Sequence, residues 1–417
     1  MRKIRLALIG AGARGKDIYG EYALNNPHEV QFIAVADPDM EKRELFAKKH
    51  NLSPDRCYND WRELIECPET FDAIIIATQD KLHYEPTIAS LEKGYNVLLE
   101  KPMSISPNEC LAMTKKAQQV GKTLTICHVL RYTPFYTKLK ELIDSSVIGN
   151  IMSVQHIEKV GYWHHAHSFV RGNWRNSKES SPMILQKCCH DMDILRWLLN
   201  KKCVRLSSFG NLSFFTPENA PLGHTAKCTD GCTSENTCPF SALKIYVGKT
   251  GWPANVVSQN TNSEAILEAL RSGPYGRCVY ACDNNVVDHQ VVNMEFEGGT
   301  TVALTMSAFT SDISRTTHFM GTNGEIYCDM LNNSIKILNF TTGEIQTIII
   351  PAQDGHSGGD WGLMRSFIRQ LTTDGNVQGL TSAFESMDSH FMAFAAEKSR
   401  LDNKVIIMND FINGYIS

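Results

Sequence analysis

The chain has 417 residues, 42% of them hydrophobic, which is enough for two or three domains that each bury a core. Its formal net charge is −4, from 41 Lys and Arg against 45 Asp and Glu. No basic excess is available to bind a nucleic acid. No apolar run reaches the length of about 18 residues that a membrane span needs, so a membrane partner is not expected either.

The apolar stretch at residues 4–9 is too short for a signal peptide and runs directly into a Gly-rich turn. We therefore interpret it as a first β-strand and expect a cytoplasmic protein. The 13 cysteines are then expected to be reduced thiols. That state leaves metal ligation open and makes disulfides unexpected.

Residues 1–126 alternate short apolar runs with amphipathic stretches. This alternation predicts a Rossmann-type α/β domain, in which helices cover both faces of a doubly wound parallel sheet. The predicted strands are 4–9, 31–36, 71–77, 95–99 and 123–127, and the predicted helices include 40–49, 84–93 and 106–121.

The pattern changes after this point, and residues 127–417 are predicted to form a second, α+β domain. Its later strands follow one another with only turns between them, which favours an antiparallel sheet. The predicted strands are 286–296, 301–309, 316–320, 325–329, 335–339 and 344–350, and the predicted helices are 135–145, 190–200, 361–372 and 383–400. A segment rich in Pro, Gly, Cys and Thr, residues 216–251, is interpreted as a long loop.

The first turn reads Gly10-Ala11-Gly12-Ala13-Arg14-Gly15, a G-x-G-x-x-G pattern between a predicted strand and a predicted helix. Gly10 would allow the tight turn, Gly12 the approach of a pyrophosphate, and Gly15 close packing of the helix on the sheet. Ala13 and Arg14 lie at the helix start, where free N–H groups bind anions. The alternative is a Gly-rich turn without a ligand.

Asp37 ends the second predicted strand, 22 residues after Gly15. A carboxylate at this place binds the adenosine ribose and repels a 2′-phosphate, so the sequence favours NAD over NADP. Lys42 and Arg43 nearby weaken that preference. Asp37 is also suited to begin an Asp37-Pro38-Asp39 turn, and both roles are compatible.

A more specific signal is Glu100-Lys101-Pro102, which follows a predicted strand of the same domain. With the glycine pattern, it resembles the glucose–fructose oxidoreductase / inositol dehydrogenase / rhizopine catabolism (Gfo/Idh/MocA) family. The supporting positions are Ala77-Thr78, His83, Gly94, Arg131 with Pro134, and Ile148-Gly149. The resemblance implies an N-terminal domain that binds NAD or NADP, a C-terminal domain with a large open, mainly antiparallel sheet, and a site between them.

The same resemblance implies that Lys101 reaches both the cofactor ribose and the reacting hydroxyl. It places Thr78 and His83 near the cofactor, and we assign Glu100 and Arg131 to the cofactor site with them. Strand ends of doubly wound sheets face the ligand crevice, which agrees with this position for Lys101. A lone lysine at a strand end is otherwise usually a solvated surface charge.

His190 is the second candidate catalytic residue. The family's pattern here is Asp-x-Gly-x-His-x-x-Asp, and His190 and Asp193 match it, whereas Gln186 and Cys188 replace the Asp and the Gly. We therefore expect His190 to act as acid/base and Lys101 to polarise the hydroxyl, with Lys187 or Gln186 orienting the substrate. The alternative for His190 is a residue that only helps to begin a helix.

An aromatic and basic cluster spans residues 162–175 of the second domain. Aromatic rings stack on sugar faces and basic side chains bind hydroxyls or carboxylates, so we expect substrate contacts here. The predicted substrate-binding residues are Tyr162, His165, Arg171, Trp174, Lys187 and His190. The histidines at positions 164, 165 and 167 could alternatively hold a metal.

Cys228, Cys232 and Cys238 form a C-x3-C-x5-C cluster inside the predicted loop. A structural zinc ion would stabilise a loop that lacks a core of its own. The fourth ligand is left open between His224, Cys278 and Cys282. Free thiols without a metal are the alternative, and this spacing is not that of a standard zinc finger.

Together these features predict an NAD-dependent oxidoreductase that acts on a secondary hydroxyl of a sugar, a polyol or a sugar derivative. A redox-neutral, NAD-dependent glycoside hydrolase or epimerase uses the same residues and is the alternative. The pair Lys101 and His190 argues against a non-catalytic NAD sensor. The resemblance also implies a homo-oligomer, a dimer or a tetramer.

Overall fold

A six-stranded parallel sheet organises the N-terminal part of the chain in this computed structural model, which describes residues 2–353, 356–373 and 379–416. The strands lie in the order β3-β2-β1-β4-β5-β6, the arrangement of a dinucleotide-binding doubly wound fold. They are β1 Ile4–Ile9, β2 Val30–Ala36, β3 Cys57–Tyr58, β4 Ala73–Ile76, β5 Asn96–Leu99 and β6 Leu124–Ile126.

Helices cover both faces of this sheet. The helical elements are a π-helical turn at Arg14–Gly20 that continues into α1 Glu21–Asn25, then α2 Met40–His50, α3 Trp61–Glu66, α4 Tyr84–Glu92 and α5 Pro107–Val120. Leu6 and Leu8 of β1 are buried in one hydrophobic cluster, and Ala7 and Ile9 are buried in another on the opposite face. Because side chains of a strand alternate between faces, an apolar run such as β1 indicates a sheet covered on both sides.

The second sheet has nine strands, in the order β14-β13-β12-β11-β7-β10-β9-β8-β15. Its strands are β7 Ile151–Lys159, β8 Cys203–Asn211, β9 His289–Phe296, β10 Thr300–Ser307, β11 Ser314–Gly321, β12 Gly324–Asp329, β13 Ser334–Asn339, β14 Ile345–Ile349 and β15 Ile406–Ile407. Neighbouring strands are antiparallel except β7 and β10, which run parallel. The α/β first domain and the mainly antiparallel second sheet confirm the predicted fold class.

The remaining helices all follow the parallel sheet in the chain. They are α6 Pro134–Asp144, α7 Tyr162–His165, α8 Met183–Gln186, α9 Cys189–Leu199, α10 Ala242–Tyr246, α11 Ala254–Val257, α12 Ser263–Ser272, α13 Gly359–Thr372, α14 Ala383–Asp402 and α15 Met408–Ile416. Within the described ranges, no helix combines the length and the apolar character that a membrane crossing requires.

The two parts of the chain interlock through the C-terminal helices. Leu363 and Phe367 of α13 pack in the same cluster as Leu6 and Leu8 of the first sheet, while α14 packs against both α5 and α9. The parallel sheet ends at β6, close to the predicted boundary between residues 126 and 127. Because α13 returns to the first sheet, that boundary stays a prediction.

Candidate functional site

The carboxyl ends of the parallel strands form the crevice in which doubly wound sheets bind ligands. The loop after β1 carries the glycine pattern, the loop after β4 carries Thr78, and β5 leads into Glu100 and Lys101. The segment after β6 adds His128. The sequence placed all of these except His128 at the crevice.

The glycine loop has the local geometry that a dinucleotide pyrophosphate needs. Gly10 has φ +96°, and a Cβ there would lie 2.6 Å from the carbonyl oxygen of Ala77. A Cβ on Gly15 would collide with the Gly10 carbonyl oxygen, whereas a Cβ on Gly12 would meet nothing within 4 Å. The open space lies at Gly12, beside the start of a helix at Ala13 and Arg14, where backbone N–H groups have no helical partner. These residues therefore fit NAD.

Asp37 is held by backbone groups at the end of β2. Its Oδ2 accepts a hydrogen bond from the Ala11 N–H at 2.7 Å, and its Oδ1 accepts one from the Asp39 N–H at 2.9 Å. The side chain of Arg43 donates to the Asp37 backbone carbonyl rather than to its carboxylate. These contacts fix the position of the carboxylate at the end of β2, and its predicted preference for NAD over NADP stays a prediction.

Arg14 joins two buried carboxylates. Its Nε donates to Glu100 Oε1 at 2.5 Å, and its Nη2 lies 2.9 Å from Asp360 Oδ1. Burial raises the pKa of Asp360, but the Arg14 guanidinium and the hydrogen bond from His356 outweigh that effect and lower it to about 2. Arg14 likewise outweighs burial and lowers the pKa of Glu100, which also accepts a hydrogen bond from Tyr19.

The Arg14 and Glu100 side chains thus bind one another beside the predicted cofactor. A direct contact of either side chain with the cofactor stays a prediction.

His83 contacts the backbone of the loop that carries Lys101. Its Nδ1 lies 2.7 Å from the Pro102 carbonyl oxygen, and its Nε2 lies 3.2 Å from the Thr78 carbonyl oxygen. Its side chain is fully buried, and Thr78 donates its hydroxyl to Leu82 O at 3.2 Å. His83 therefore holds the two loops at the strand ends together.

Lys101 reaches across the crevice to the second domain. Its Nζ donates a hydrogen bond to the backbone carbonyl of Gln186 at 2.8 Å, and its side chain is half-buried. No carboxylate of the described residues lies within ion-pair distance of it. An ammonium has three N–H donors, so two remain available for a ligand.

His190 lies one turn beyond that contact, at the start of α9. Its side chain is 8% exposed, and its buried Nδ1 has no hydrogen-bond partner among the described residues. Burial, followed by the charges of Lys101 and His128, lowers the pKa of His190 well below its ordinary value. The ring is therefore neutral at pH 7, and it is a weaker base than an ordinary imidazole.

Two further histidines behind His190 were missed from the sequence. The His128 ring makes an edge contact with His190 at a centroid distance of 5.6 Å and lies 5.3 Å from the ring of His390. Both nitrogens of His128 are buried without a partner, and its Nε2 is 3.9 Å from Asp193 Oδ1. His128 comes directly after β6, so the rule that strand ends face the crevice could have identified it. His390 lies far along the chain, and no local signal marks it.

A network of charges lies under α9 on strands β7 and β11. Arg315 pairs with Glu158 at 2.9 Å and with Asp191 at 2.6 Å, and Asp191 also lies 2.9 Å from His156. Lys187, predicted to bind substrate, pairs with the buried Glu158 at 3.2 Å and keeps only 16% of its side chain exposed. The Lys187 ammonium is therefore already paired with Glu158 and is only partly available to a substrate.

Arg131 forms a buried ion pair with Asp193. Its Nε and Nη2 donate to the two carboxylate oxygens of Asp193, each at 2.7 Å, and its Nη1 donates to the Leu380 carbonyl at 2.7 Å. Arg131 is 2% exposed. Its predicted role toward the cofactor stays a prediction, and its visible role is to hold α9 against the segment that follows β6.

The aromatic and basic cluster of the second domain is mostly internal. His165 is fully buried against Phe215, and Arg171 is 1% exposed with its guanidinium bonded to the carbonyls of Arg277 and Phe240. Tyr162 packs edge-on against Phe240. These contacts leave His165 and Arg171 almost no surface for a ligand. The substrate roles of Tyr162, His165 and Arg171 stay predictions.

Trp174 instead links the two domains beside the crevice. Its indole N–H donates to Asp80 Oδ1 at 3.2 Å, and Asp80 Oδ2 accepts from the Ser181 hydroxyl at 2.6 Å. Asp80 follows Thr78 in the loop after β4, so this contact holds the second domain at the edge of the crevice. A role for Trp174 in substrate binding stays a prediction.

The 13 cysteines are all free. In the part of the chain that the structure describes, no three His, Cys, Asp or Glu side chains converge on one point that could hold a metal ion. This statement covers the histidines at positions 164, 165 and 167 as well as Cys228, Cys232 and Cys238. The zinc ion predicted at the cysteine cluster stays a prediction.

Comparison with known proteins identifies the family. Residues 4–128 match the family GFO_IDH_MocA, described as an oxidoreductase family with an NAD-binding Rossmann fold, and residues 140–358 match its C-terminal alpha/beta domain. The chain belongs to the Gfo/Idh/MocA family. The resemblance drawn from Glu100-Lys101-Pro102 is confirmed.

Individual family members are distant from this chain. It is 27% identical to inositol 2-dehydrogenase 4 of Saccharopolyspora erythraea over 54% of this chain and 61% of that protein. It is 26% identical to the 2,7-anhydro-N-acetylneuraminate hydratase of Escherichia coli over 63% of this chain and 67% of that protein. The chain thus spans only about three fifths of the first of these curated relatives.

A solved structure with the same fold matches nearly the whole chain. An oxidoreductase from Agrobacterium radiobacter, crystallised with NAD+, L-tartaric acid and magnesium, superposes with a TM-score of 0.70. The match covers 98% of this chain and 99% of that chain at 14% sequence identity. At this identity, the likeness extends to the fold alone.

Proposed function

We propose that this protein is an NAD-dependent oxidoreductase that acts on a secondary hydroxyl of a sugar, a polyol or a related carbohydrate. The observation that carries the proposal is the hydrogen bond from Lys101 to the Gln186 carbonyl, which brings the lysine close to His190. The open space at Gly12 and the fixed carboxylate of Asp37 support NAD as the cofactor.

When bound, NAD supplies a hydride acceptor for the carbon that carries the hydroxyl. The protein must then bind that hydroxyl and remove its proton. Lys101, with two free N–H donors, would bind the hydroxyl oxygen and stabilise the charge that develops there. His190, neutral at pH 7, would take the proton. His128 behind it would keep the imidazole in place through their ring contact.

A substrate panel tests this proposal directly. Inositols, hexoses, uronic acids and glycosides would be incubated with the chain and either NAD or NADP, and both reduced cofactor and carbohydrate product would be measured. We expect NADH to form with at least one compound, and NAD to be preferred to NADP. No redox change and no product with any compound would contradict the proposal.

Substitution of His190 tests the assignment of the base. His190→Ala should lower kcat by about 10²- to 10⁴-fold while NAD still binds with nearly normal affinity. The matched control is His28→Ala, because the His28 side chain is 75% exposed on the first domain. An unchanged kcat in His190→Ala would remove His190 from the mechanism.

A redox-neutral reaction is the second candidate. It is favoured by the likeness to the Escherichia coli hydratase and by Gln186, which stands where the family pattern has an aspartate. In that case, hydride removal from the substrate and its return would occur in one cycle. Product formation without net NADH, with cofactor retained through purification, would distinguish it from a dehydrogenase.

We also propose that the chain works in the cytoplasm as a homo-oligomer paired through its large sheet. The free thiols agree with a reducing compartment. Ile157 of β7, Phe209 of β8 and Tyr327 of β12 are exposed on the same open face of the sheet, with exposed fractions of 38%, 60% and 46%. Light scattering of the purified chain should give a dimer or a tetramer, and a monomer would contradict this proposal.

A further inference from the structure

Residues 356–360, which lead into α13, lie beside the cofactor site of the first domain. The His356 Nδ1 is 3.5 Å from Nη1 of Arg14, although the two residues are 342 positions apart in the chain. Arg14 is the first residue of the helical turn that follows the glycine loop. Because the free N–H groups at such a helix start bind phosphates, His356 adjoins the place that we assign to the NAD pyrophosphate.

Close packing fixes this segment in place. A Cβ on Gly359 would lie 2.4 Å from the Val129 carbonyl oxygen, so α13 begins directly against the backbone that follows β6. His356 and Ser357 both have a left-handed backbone, with φ of +41° and +53°. This conformation is costly for residues with a Cβ, and such residues cluster at ligand sites. The packing and the backbone together indicate that the fold specifies the position of His356.

Asp360 sets the orientation of the His356 ring. The Asp360 side chain is fully buried, yet Arg14 and His356 outweigh the effect of burial and lower its pKa to about 2, so it is an ionised acceptor at neutral pH. The His356 Nδ1, 2.8 Å from Asp360 Oδ2, therefore carries a hydrogen and donates it. The Nε2 of the ring has no hydrogen-bond partner among the described residues, and 50% of the side chain is exposed.

The charges around Arg14 are uneven. Its one guanidinium lies within ion-pair distance of two buried carboxylates, those of Glu100 and Asp360. Among the residues that the structure describes, His356 is the one further basic side chain within ion-pair distance of either carboxylate. A pyrophosphate at the helix start would add more negative charge nearby. Both the carboxylates and the pyrophosphate favour a protonated His356, against the opposing charge of Arg14.

Other titratable groups on the elements around His356 are paired or neutral. The charged side chains of residues 14–20, 129–132 and α6 form other pairs: Lys16 with Asp17, Arg131 with Asp193, Lys138 with Glu141 and Lys140 with Asp144. Burial raises the pKa of the tyrosines there, Tyr19, Tyr132 and Tyr136. Burial lowers the pKa of His128 and His190 well below its ordinary value. None of these histidines and tyrosines changes its charge between pH 6 and pH 8.5.

We propose that His356 is a cofactor-binding residue, whose Nε2 donates a hydrogen bond to a phosphate oxygen of NAD while Asp360 holds its Nδ1. Phosphate oxygens only accept hydrogen bonds, so this contact needs the protonated ring, which donates from both nitrogens. The C-terminal part of the chain would thus complete the phosphate site that the glycine loop begins. The inference rests on the proposed use of NAD.

The test is the affinity for NAD, measured by calorimetry at pH 6 and pH 8.5 with the unchanged chain and with His356→Gln. Glutamine has a similar reach but cannot carry the charge. At pH 6, His356→Gln should bind NAD about tenfold more weakly, since a hydrogen bond from a charged group is lost. The unchanged chain should bind NAD more weakly at pH 8.5 than at pH 6 and should take up a proton on binding near pH 7.5, because histidines titrate near neutral pH. Neither effect should remain in His356→Gln.

His28→Gln is the matched control, because the His28 side chain is 75% exposed on the first domain. It should follow the unchanged chain at both pH values. Equal affinities of His356→Gln and the unchanged chain at pH 6 would overturn the proposal. So would a loss of the same size at both pH values, which would indicate a contact of the neutral ring instead. A chain that binds no NAD at either pH would overturn the proposed function as well, so the two failures can be told apart.

Discussion

The Nζ of Lys101 and the backbone carbonyl of Gln186 are joined by a hydrogen bond of 2.8 Å that crosses from the first domain to the second. The position of the lysine therefore depends on how the two domains meet. The hydrogen bond from Trp174 to Asp80 also crosses between the domains and helps to hold that arrangement. Gln186 takes part through its backbone carbonyl, so this hydrogen bond does not depend on whether residue 186 is Gln or the Asp of the family pattern.

Replacement of Lys101 by Met should lower kcat by about 10²- to 10³-fold, the usual cost of removing one donor that stabilises developing charge. The dissociation constant for NAD should change much less, because the glycine loop and Asp37 remain. The control is Lys93→Met, since Lys93 is an exposed lysine that pairs with Glu66 on the surface. Stopped-flow and titration with NAD would measure both quantities. A kcat equal to that of the control would contradict a role for Lys101.

Much of the first domain could be predicted because its signals are local. The strand at Ile4–Ile9 coincides with its prediction, and α5 ends at Gly121 in the left-handed conformation, as the glycine there indicated. The two-residue strand Cys57–Tyr58 was missed because it is too short to show a hydrophobic period. The strand Cys203–Asn211 was missed too, since its buried positions are irregular.

The site could be predicted only where its residues carry a motif. Lys101 and His190 were found in this way, and the structure brings their loops together. Charge partners were not found, because Arg14 meets Asp360, and Arg131 meets Asp193, only after the chain has folded. The spacing of residues along the sequence cannot show which polar side chains will form such ion pairs.

Two glycines of the G-x-G-x-x-G pattern, Gly12 and Gly15, should affect NAD binding and folding separately. Gly12→Ala should fold with a normal Tm, because its Cβ would meet nothing within 4 Å. It should bind NAD at least about tenfold more weakly, because the added methyl group would occupy the space of the pyrophosphate. Gly15→Ala should lower Tm, because its Cβ would collide with the Gly10 carbonyl. Thermal unfolding with and without NAD would measure both effects. Equal NAD stabilisation of Gly12→Ala and the unchanged chain would contradict this account.

Removal of Arg14 should destabilise the fold near pH 7. Arg14→Met leaves Glu100 and Asp360 buried without a cation. The free energy of unfolding should fall by about 3 kcal/mol, the lower end of the usual range, because Arg14 keeps 28% of its side chain exposed. Both carboxyl groups have a lowered pKa in the folded chain, so their contribution is present above pH 4 and is lost as the pH falls toward 2.

The loss in Arg14→Met should therefore shrink in acid. Urea unfolding at pH 7 and pH 3 would measure it, with Arg62→Met as the control. Arg62 forms a surface pair with Glu85 and should contribute about 0–1 kcal/mol at either pH. A loss for Arg14→Met that is no larger than that of the control would show that the buried network does not stabilise the fold.

His165 should make the fold sensitive to mild acid. Burial lowers the pKa of His165 to about 4, whereas in the unfolded chain it has the ordinary value of about 6.5. Below pH 6.5, the unfolded chain binds a proton that the folded chain does not, so stability falls by about 1.4 kcal/mol per pH unit from this residue until pH 4.

His165→Phe removes this proton and keeps a ring that can stack on Phe215. Between pH 6.5 and 5, its free energy of unfolding should therefore fall by about 2 kcal/mol less than that of the unchanged chain. The other buried histidines titrate equally in both proteins, so the difference belongs to His165. His28→Gln, at an exposed position, is the control and should follow the unchanged chain. Parallel stability curves for His165→Phe and the unchanged chain would show that His165 is not buried as a neutral ring.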